Sequence, residues 1–155
     1  MGLLTPLAVR IGALEWMPRL LPQITAIDKT LHRTTGGRIT ILNIAGLPNL
    51  LLTVPGRRTG TPRTTPLLCV PRGDTFLIAG SYFGGPKEPV WVANLEAAGA
   101  GTLRFQGADR KFSARLLTGQ ERAEAWADMV KVWPNFNVYE RRTTREIKVF
   151  ELKPA

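Results

Sequence analysis

The chain opens with apolar residues that recur at helical spacing. Residues 3–17 and 19–33 are predicted as two short helices that separate at Pro18. One face of the second helix is apolar and consists of Leu20, Leu21, Ile24, Ile27 and Leu31. The pattern favours packing of this face on the rest of the protein. The alternative is an anchor that lies in a membrane surface.

From residue 38 onward, β-branched and apolar runs alternate with turn signals. They predict strands at 38–45, 50–54, 63–70, 75–81, 101–106, 111–117 and 145–152, with turns at 71–74 and 107–109. The first two of these are either separate strands or one bent strand. A helix is predicted at 89–98, since Pro89 starts it and Gly99 follows its end. Another begins after Thr118, with Glu121 as capping-box partner, and ends before Pro134.

This order of elements predicts a single α+β domain over residues 1–155. Strands that follow one another through short turns, with helices outside them, favour an antiparallel barrel. We expect a helical segment at 1–35 and the barrel at 38–155.

Composition and charge narrow the functions. The chain has 155 residues and a net charge of +9, which predicts an anionic partner. Its basic residues are dispersed and rarely alternate with aromatic ones, which argues against nucleic acid. His32 and Cys69 are the sole residues of their types, so we predict no metal site and a buried thiol at Cys69.

The N-terminal segment is predicted neither as a secretory signal nor as a membrane span. It lacks a positively charged start, and prolines and charges interrupt its apolar run. We therefore expect a protein of the cytoplasm or of the inner membrane face. Separately, we expect a monomer and weak binding of the N-terminal segment to the membrane surface.

The segment from Leu50 to Cys69, LLLTVPGRRTGTPRTTPLLC, carries the strongest chemical signal. Two apolar runs flank a Gly/Pro loop that contains Arg57, Arg58 and Thr59. A tight turn with guanidinium groups and a hydroxyl is suited to an anion. The alternative is a solvated hairpin tip.

Two further segments extend this pattern. AGSYFGGPKEPVWVAN, residues 79–94, places Lys87 in a Gly-rich loop before a helix N-terminus, where anions bind favourably. WPNFNVY, residues 133–139, either fills the core or lines a pocket for a flat ring. Since paired carboxylates are scarce outside the predicted helix surfaces and His32 offers no Ser-His-Asp set, cofactor chemistry is favoured over hydrolysis.

The motifs TVPGRRTGTPRTTPLL, AGSYFGGPKEPVWVANLEA and WPNFNVY resemble the deazaflavin-dependent nitroreductase family of mycobacteria and other actinobacteria. The resemblance implies a flavin-reductase-like split β-barrel. It also implies coenzyme F-420, an 8-hydroxy-5-deazaflavin with a phosphate and an oligoglutamate tail. Arg57, Arg58 and Thr59 would hold the anionic groups, and the strand from Arg63 would lie under the ring. The implied cofactor-binding residues are Arg57, Arg58, Thr59, Arg63, Thr64, Thr65, Pro66, Leu67, Leu68, Ala79, Gly80, Ser81, Tyr82, Lys87, Val90, Trp91, Val92, Ala93, Asn94 and Phe136.

The implied activity is hydride transfer from the reduced deazaflavin to a small-molecule acceptor. Quinones and activated alkenes are favoured over nitro compounds, since Phe136 stands where several family members have tyrosine. Tyr139 or Ser81 would donate a proton, or water would do so. The open alternatives are a reductase that binds flavin mononucleotide and a non-catalytic deazaflavin-binding protein.

Overall fold

The computed structural model describes residues 47–81 and 84–155, which form seven strands and three helices. The predicted helices at 3–17 and 19–33, the strand at 38–45 and Tyr82 lie outside the described residues. The strands are β1 Asn49–Pro55, β2 Pro62–Leu68, β3 Val70–Arg72, β4 Thr75–Ala79, β5 Ala100–Phe105, β6 Ala108–Leu117 and β7 Val149–Pro154. The helices are α1 Val90–Ala98, α2 Gly119–Val132 and α3 Asn135–Arg142.

The strands form one curled antiparallel sheet in the order β2-β1-β5-β6-β7-β4-β3. Its two edge strands, β2 and β3, are separated in the chain by Cys69 alone. The sheet must therefore curl until these edges approach each other. The Cys69 N–H donates to the Pro48 carbonyl at 3.0 Å, next to the start of β1. The curled sheet with helices outside it confirms the predicted α+β split barrel.

Core residues lie on both faces of the sheet, as the side chains of β4 illustrate. Phe76 and Ile78 pack into one cluster with Trp91 of α1, while Leu77 packs into another with Met129 of α2. A strand buried on both faces needs an unbroken apolar run, which Thr75–Ala79 supplies. In β1, by contrast, buried and partly exposed positions alternate.

Several predicted boundaries differ from the observed ones. The strand predicted at 63–70 is interrupted at Cys69, where the chain passes between the sheet edges. The turn between β5 and β6 is Gln106-Gly107, with φ of 51° and 81°, and not 107–109. Positive φ at both positions matches the twist of a two-residue hairpin.

The predicted capping box at Thr118 is wrong. Thr118 stands at the N-cap of α2 but makes no side-chain cap hydrogen bond. Glu121 instead receives a 2.7 Å ion pair from Arg115 on β6. The Glu121 carboxylate therefore pairs with a residue of the neighbouring strand and does not cap its own helix.

The C-terminal part differs too. α3 was not predicted as a separate helix, although Pro134 is a common residue at such a start. β7 begins at Val149 and not at Arg145. No helix in the described ranges is both long and apolar enough for a membrane crossing.

Candidate cofactor site

Residues 56–61, here called the basic loop, connect β1 to β2 and are folded by their own hydrogen bonds. The Gly56 N–H donates to the Thr61 carbonyl and the Gly60 N–H to the Gly56 carbonyl, both at 2.8 Å. Gly60 has a φ of 74°, which favours glycine. The Thr59 hydroxyl accepts the Thr61 N–H at 3.2 Å. The loop thus has a defined shape with exposed side chains at Arg57, Arg58 and Thr59.

Asn94 of α1 joins the basic loop to the second predicted motif. Its Oδ1 accepts the Arg57 main-chain N–H at 3.0 Å and the Arg57 guanidinium at 3.4 Å. Asn94 is one of two buried polar residues in the described chain. Because a buried polar atom needs a hydrogen-bond partner, the bonds from Arg57 satisfy the Asn94 amide oxygen. The structure therefore brings together two segments that the sequence singled out separately.

The basic loop and the two strands that flank it carry positive charge and contain no carboxylate. No Asp or Glu occurs between Asp28 and Asp74. Arg58, Arg63 and Lys87 are exposed and make no ion pair with any described residue. The Arg63 Nε lies 3.6 Å from where a Cβ on Gly56 would be, so this side chain reaches the loop. Unneutralised cations of this kind attract an anion.

β2 lies at the sheet edge beside the basic loop. All of its residues, including Thr64, Thr65, Pro66, Leu67 and Leu68, are at least partly exposed. The Thr64 hydroxyl hydrogen-bonds to that of Thr53 at 2.8 Å. Leu67 packs on the cluster of Trp91, and Leu68 packs on the cluster of Met129. Within the described sheet β2 is an edge strand, which leaves main-chain polar groups without a partner among the described strands, so β2 offers a ligand both hydrogen bonds and apolar contact.

Residues 80–89, here called the crossing, lead from β4 to α1. A Cβ on Gly80 would lie 2.7 Å from Val92 Cγ2, so glycine permits the close approach of the two elements. Lys148, directly before β7, forms an ion pair with Glu96 of α1 at 2.5 Å and lies 3.6 Å from Glu88, which precedes α1. These two contacts link α1 and the residues before it to the start of β7. The first turn of α1 contains Val90, which is 72% exposed.

Arg145 fixes the crossing, and the sequence analysis missed it. Its guanidinium donates to the carbonyls of Gly80, Ser81 and Gly85 at 2.8, 2.9 and 3.2 Å. Burial lowers the pKa of Arg145, and the Glu88 carboxylate opposes that shift. Main-chain carbonyls leave no signature in a sequence, so no pattern pointed to these contacts.

The two predicted proton donors have different surroundings. Ser81 is half-buried at the start of the crossing. Tyr139, on α3, is 2% exposed, and its hydroxyl accepts the Trp133 indole N–H at 3.1 Å. Burial raises the pKa of Tyr139 to about 12, against the opposing effect of hydrogen bonds from Trp133 and Asn135.

The remaining predicted residues are mostly in the core. Trp91 packs on Phe150 with ring centroids 6.0 Å apart, and Phe136 lies 5.7 Å from Trp126. Val92 is fully buried, while Ala79 and Ala93 are half-buried. Among the predicted residues, the ones that are at least partly exposed are therefore those in the basic loop and in β2, together with Ala79, Ser81, Lys87, Val90 and Ala93.

Comparisons with known proteins identify relatives of this chain. A family model described as F420H(2)-dependent quinone reductase matches residues 25–154. An F420H(2)-dependent quinone reductase of Mycobacterium tuberculosis (strain H37Rv) is 37% identical over 84 residues. The match covers 54% of this chain and 56% of that protein, little more than half the length of the relative.

Solved structures share the fold. An F420-H2 dependent reductase, FDR-A, has a TM-score of 0.64 and 30% identity, over 68% of this chain and 94% of that chain. A second structure, described as a domain-swapped dimer, has a TM-score of 0.66 and 28% identity, over 83% of this chain and 94% of that chain. The family resemblance seen in the motifs is thereby confirmed, and since the family model covers most of its length, the chain belongs to the F420H(2)-dependent quinone reductase family.

Proposed function

We propose that this protein binds reduced coenzyme F420, the 8-hydroxy-5-deazaflavin, and transfers a hydride from it to a quinone. The family description, which names this donor and this acceptor, supports the proposal. The observation that carries it is the bond between Arg57 and Asn94, which holds a carboxylate-free basic loop against α1. Activated alkenes and nitro compounds are further candidate acceptors.

The residues at the basic loop fit the anionic part of this coenzyme. Guanidinium groups pair well with phosphate and carboxylate, and the Arg58 and Arg63 side chains have no carboxylate among the described residues to compete for them. Arg57, oriented by Asn94, and the exposed Thr59 complete the set for the phosphate and tail. Lys87 adds a further charge for the same ligand.

β2 fits the flat ring. Its outer edge, which pairs with no other described strand, supplies main-chain hydrogen-bonding groups, and the Leu67 side chain packs against the core. A strand of a sheet holds a planar group in a better defined orientation than a loop does, which matters because hydride transfer requires close and aligned reacting atoms. When bound, the reduced deazaflavin supplies the hydride from C5.

A quinone that takes up a hydride must also gain a proton to become a hydroquinone. Ser81 is the more accessible of the two predicted donors, because it is half-buried whereas Tyr139 is 2% exposed. Tyr139 would be protonated near neutral pH even at its ordinary pKa of 10.0, and burial raises that pKa to about 12. We assign Ser81 the contact with the acceptor oxygen, with water as the alternative donor, and Tyr139 the support of the crossing.

A binding experiment tests the choice of cofactor. The purified protein is titrated separately with coenzyme F420 and with flavin mononucleotide, and the cofactor fluorescence is recorded. We expect saturable binding of the deazaflavin that weakens as salt is added, because charges drive it. Tight binding of flavin mononucleotide without binding of the deazaflavin would contradict the proposal.

We also have expectations about the oligomeric state, the location and the membrane attachment of the protein. We expect the protein to be a monomer in the cytoplasm; one related structure is described as a domain-swapped dimer. We also expect weak attachment to membranes through the N-terminal segment, whose residues lie outside the described ones.

A further inference from the structure

One side chain holds three points of the crossing together. Arg145 donates from Nη1 to the Gly80 carbonyl, from Nη2 to the Ser81 carbonyl and from Nε to the Gly85 carbonyl, at 2.8–3.2 Å. These acceptors lie 60 to 65 residues earlier in the chain. The planar guanidinium fork can serve several acceptors at fixed angles, which a lysine ammonium on a flexible stem cannot reproduce.

Other contacts of the crossing converge on the same place. The Gly80 N–H donates to the Lys148 carbonyl at 2.9 Å, so residues 145–148 hold Gly80 through both its N–H and its carbonyl. The Ser81 carbonyl also accepts the Gly84 N–H at 2.8 Å. A Cβ on Gly84 would lie 2.7 Å from the Tyr139 carbonyl, so the crossing also rests directly on α3.

We infer that Arg145 is a positioning residue for the reaction: it sets the place of Ser81, and of the start of α1, relative to β2 and the basic loop. The inference rests on the proposed function. Arg145 itself touches neither ligand in this account. Its effect reaches the ligands through the main chain of Gly80, Ser81 and Gly85, which precedes Lys87 and Val90 by a few residues.

A second arginine provides a matched control. Arg122 of α2 also donates from Nε and Nη2 to a main-chain carbonyl, that of Ile147, at 3.3 and 2.7 Å. Its side chain is 18% exposed and lies near Glu140 and Glu146. It therefore resembles Arg145 in chemistry and in its support of the segment before β7, but it does not contact the crossing through any described bond.

The test compares wild type with Arg145→Ala, Arg145→Lys and Arg122→Ala. Hydrogen–deuterium exchange of residues 80–89 is measured without ligand, and then the Kd for coenzyme F420 and the kcat and KM for the soluble quinone menadione. We expect faster exchange in residues 80–89 in both Arg145 variants and not in Arg122→Ala. For Arg145→Ala we expect a loss in kcat/KM of about tenfold or more, since the variant removes three charge-assisted hydrogen bonds and the loss of even one corresponds to about that factor.

Added guanidinium at low millimolar concentration should partly restore kcat/KM in Arg145→Ala and leave Arg122→Ala unchanged. If Arg145→Ala does not fold, Arg145→Lys carries the comparison, since it keeps the charge and loses the fork. Unchanged exchange in residues 80–89, or losses equal to those of Arg122→Ala, would overturn the inference. If exchange responds as expected but wild type binds no deazaflavin, the proposed function fails, and the assignment of Arg145 to that reaction fails with it.

Discussion

At the scale of single residues, the two arginines of the basic loop differ in their contacts, because Asn94 binds Arg57 but not Arg58. The buried amide oxygen of Asn94 engages Arg57 through both main chain and side chain. A buried acceptor without a donor would cost free energy, so this contact is part of the fold as well as of the site. Arg58, next in the chain, is exposed and has no ion pair with a described residue, so its charge is available to a ligand.

This difference predicts the effect of Arg58→Ala. The Kd for coenzyme F420 should rise roughly 10- to 100-fold, allowing about 1.5–3 kcal/mol for a lost charged hydrogen bond. The free energy of unfolding should stay nearly constant, since no described contact is lost. Arg110→Ala on β6 is the matched control, because Arg110 is also exposed and without an ion pair to a described residue. Equal weakening by both variants would mean that only the net charge matters.

The two buried acids at Cys69 and Tyr139 predict a loss of stability at alkaline pH. Burial raises the pKa of Cys69 from 9.0 to about 12 and that of Tyr139 from 10.0 to about 12. The unfolded chain therefore releases these protons at lower pH than the folded protein. Their stabilising effect is complete below pH 9 and declines as the pH rises towards 12.

Urea unfolding at several values between pH 8 and 11 measures this decline. In wild type, the free energy of unfolding should fall more steeply above pH 10 than in Tyr139→Phe, which removes the titrating phenol. Parallel curves for the two proteins would show that Tyr139 is not responsible.

At the scale of elements, the packing of β4 against α1 places the crossing. Gly80 lies at the end of β4, where a Cβ would come within 2.7 Å of Val92 Cγ2. α1 is in turn held by the Arg57–Asn94 contact and by the ion pair of Lys148 with Glu96. A shift of α1 would therefore move the helix start and the basic loop together.

Gly80→Ala tests this coupling. We expect it to lower the free energy of unfolding by about 1–3 kcal/mol, the usual cost of overpacking a core contact. It should also raise the Kd for coenzyme F420. The double variant Gly80→Ala/Val92→Ala should recover part of the affinity, because the smaller side chain removes the clash. Additive losses in the double variant would show that Val92 is not the obstacle.

Elements set by local chemistry were predictable from the sequence. The strand at 50–54 and the Pro89 and Gly99 boundaries of α1 depend on neighbouring residues, and both are confirmed. The capping box at Thr118 failed because Arg115, on another element, pairs with Glu121. Likewise the start of β7 was placed too early, because residues 145–148 contact the crossing before the ladder begins.

In the candidate site, too, local patterns were predictable and contacts between distant residues were not. The sequence indicated the basic loop and the Gly-rich segment separately, since each has a local pattern. It could not show that Arg57 meets Asn94, 37 residues away, or that Arg145 reaches Gly85, 60 residues away. Such contacts depend on the curl of the sheet and on main-chain atoms that every residue possesses.

At the scale of the whole molecule, a net charge of +9 accompanies an apolar N-terminal segment. Quinones of membranes are apolar, so an enzyme that reduces them benefits from a surface that approaches the bilayer. Basic residues near such a segment would favour anionic lipids, by about 1 kcal/mol per residue close to the surface.

We therefore predict weak binding to vesicles of anionic lipid. Co-sedimentation should detect the full chain in the vesicle pellet, and added salt should reduce the amount. A truncated chain that begins at Thr34 should bind less, provided that it folds by circular dichroism. Negligible binding of the full chain would refute the membrane prediction, and unfolding of the truncated chain would favour a core role for residues 3–33.

The proposed hydride transfer can be followed directly in an anaerobic reaction of the protein and reduced coenzyme F420 with menadione. We expect oxidation of the deazaflavin far faster than without protein, in equal amount to the menadiol formed. At subsaturating cofactor, Arg58→Ala should be slower than both wild type and Arg110→Ala. A rate no higher than that of the protein-free mixture, in protein shown to be folded, would contradict the proposed function.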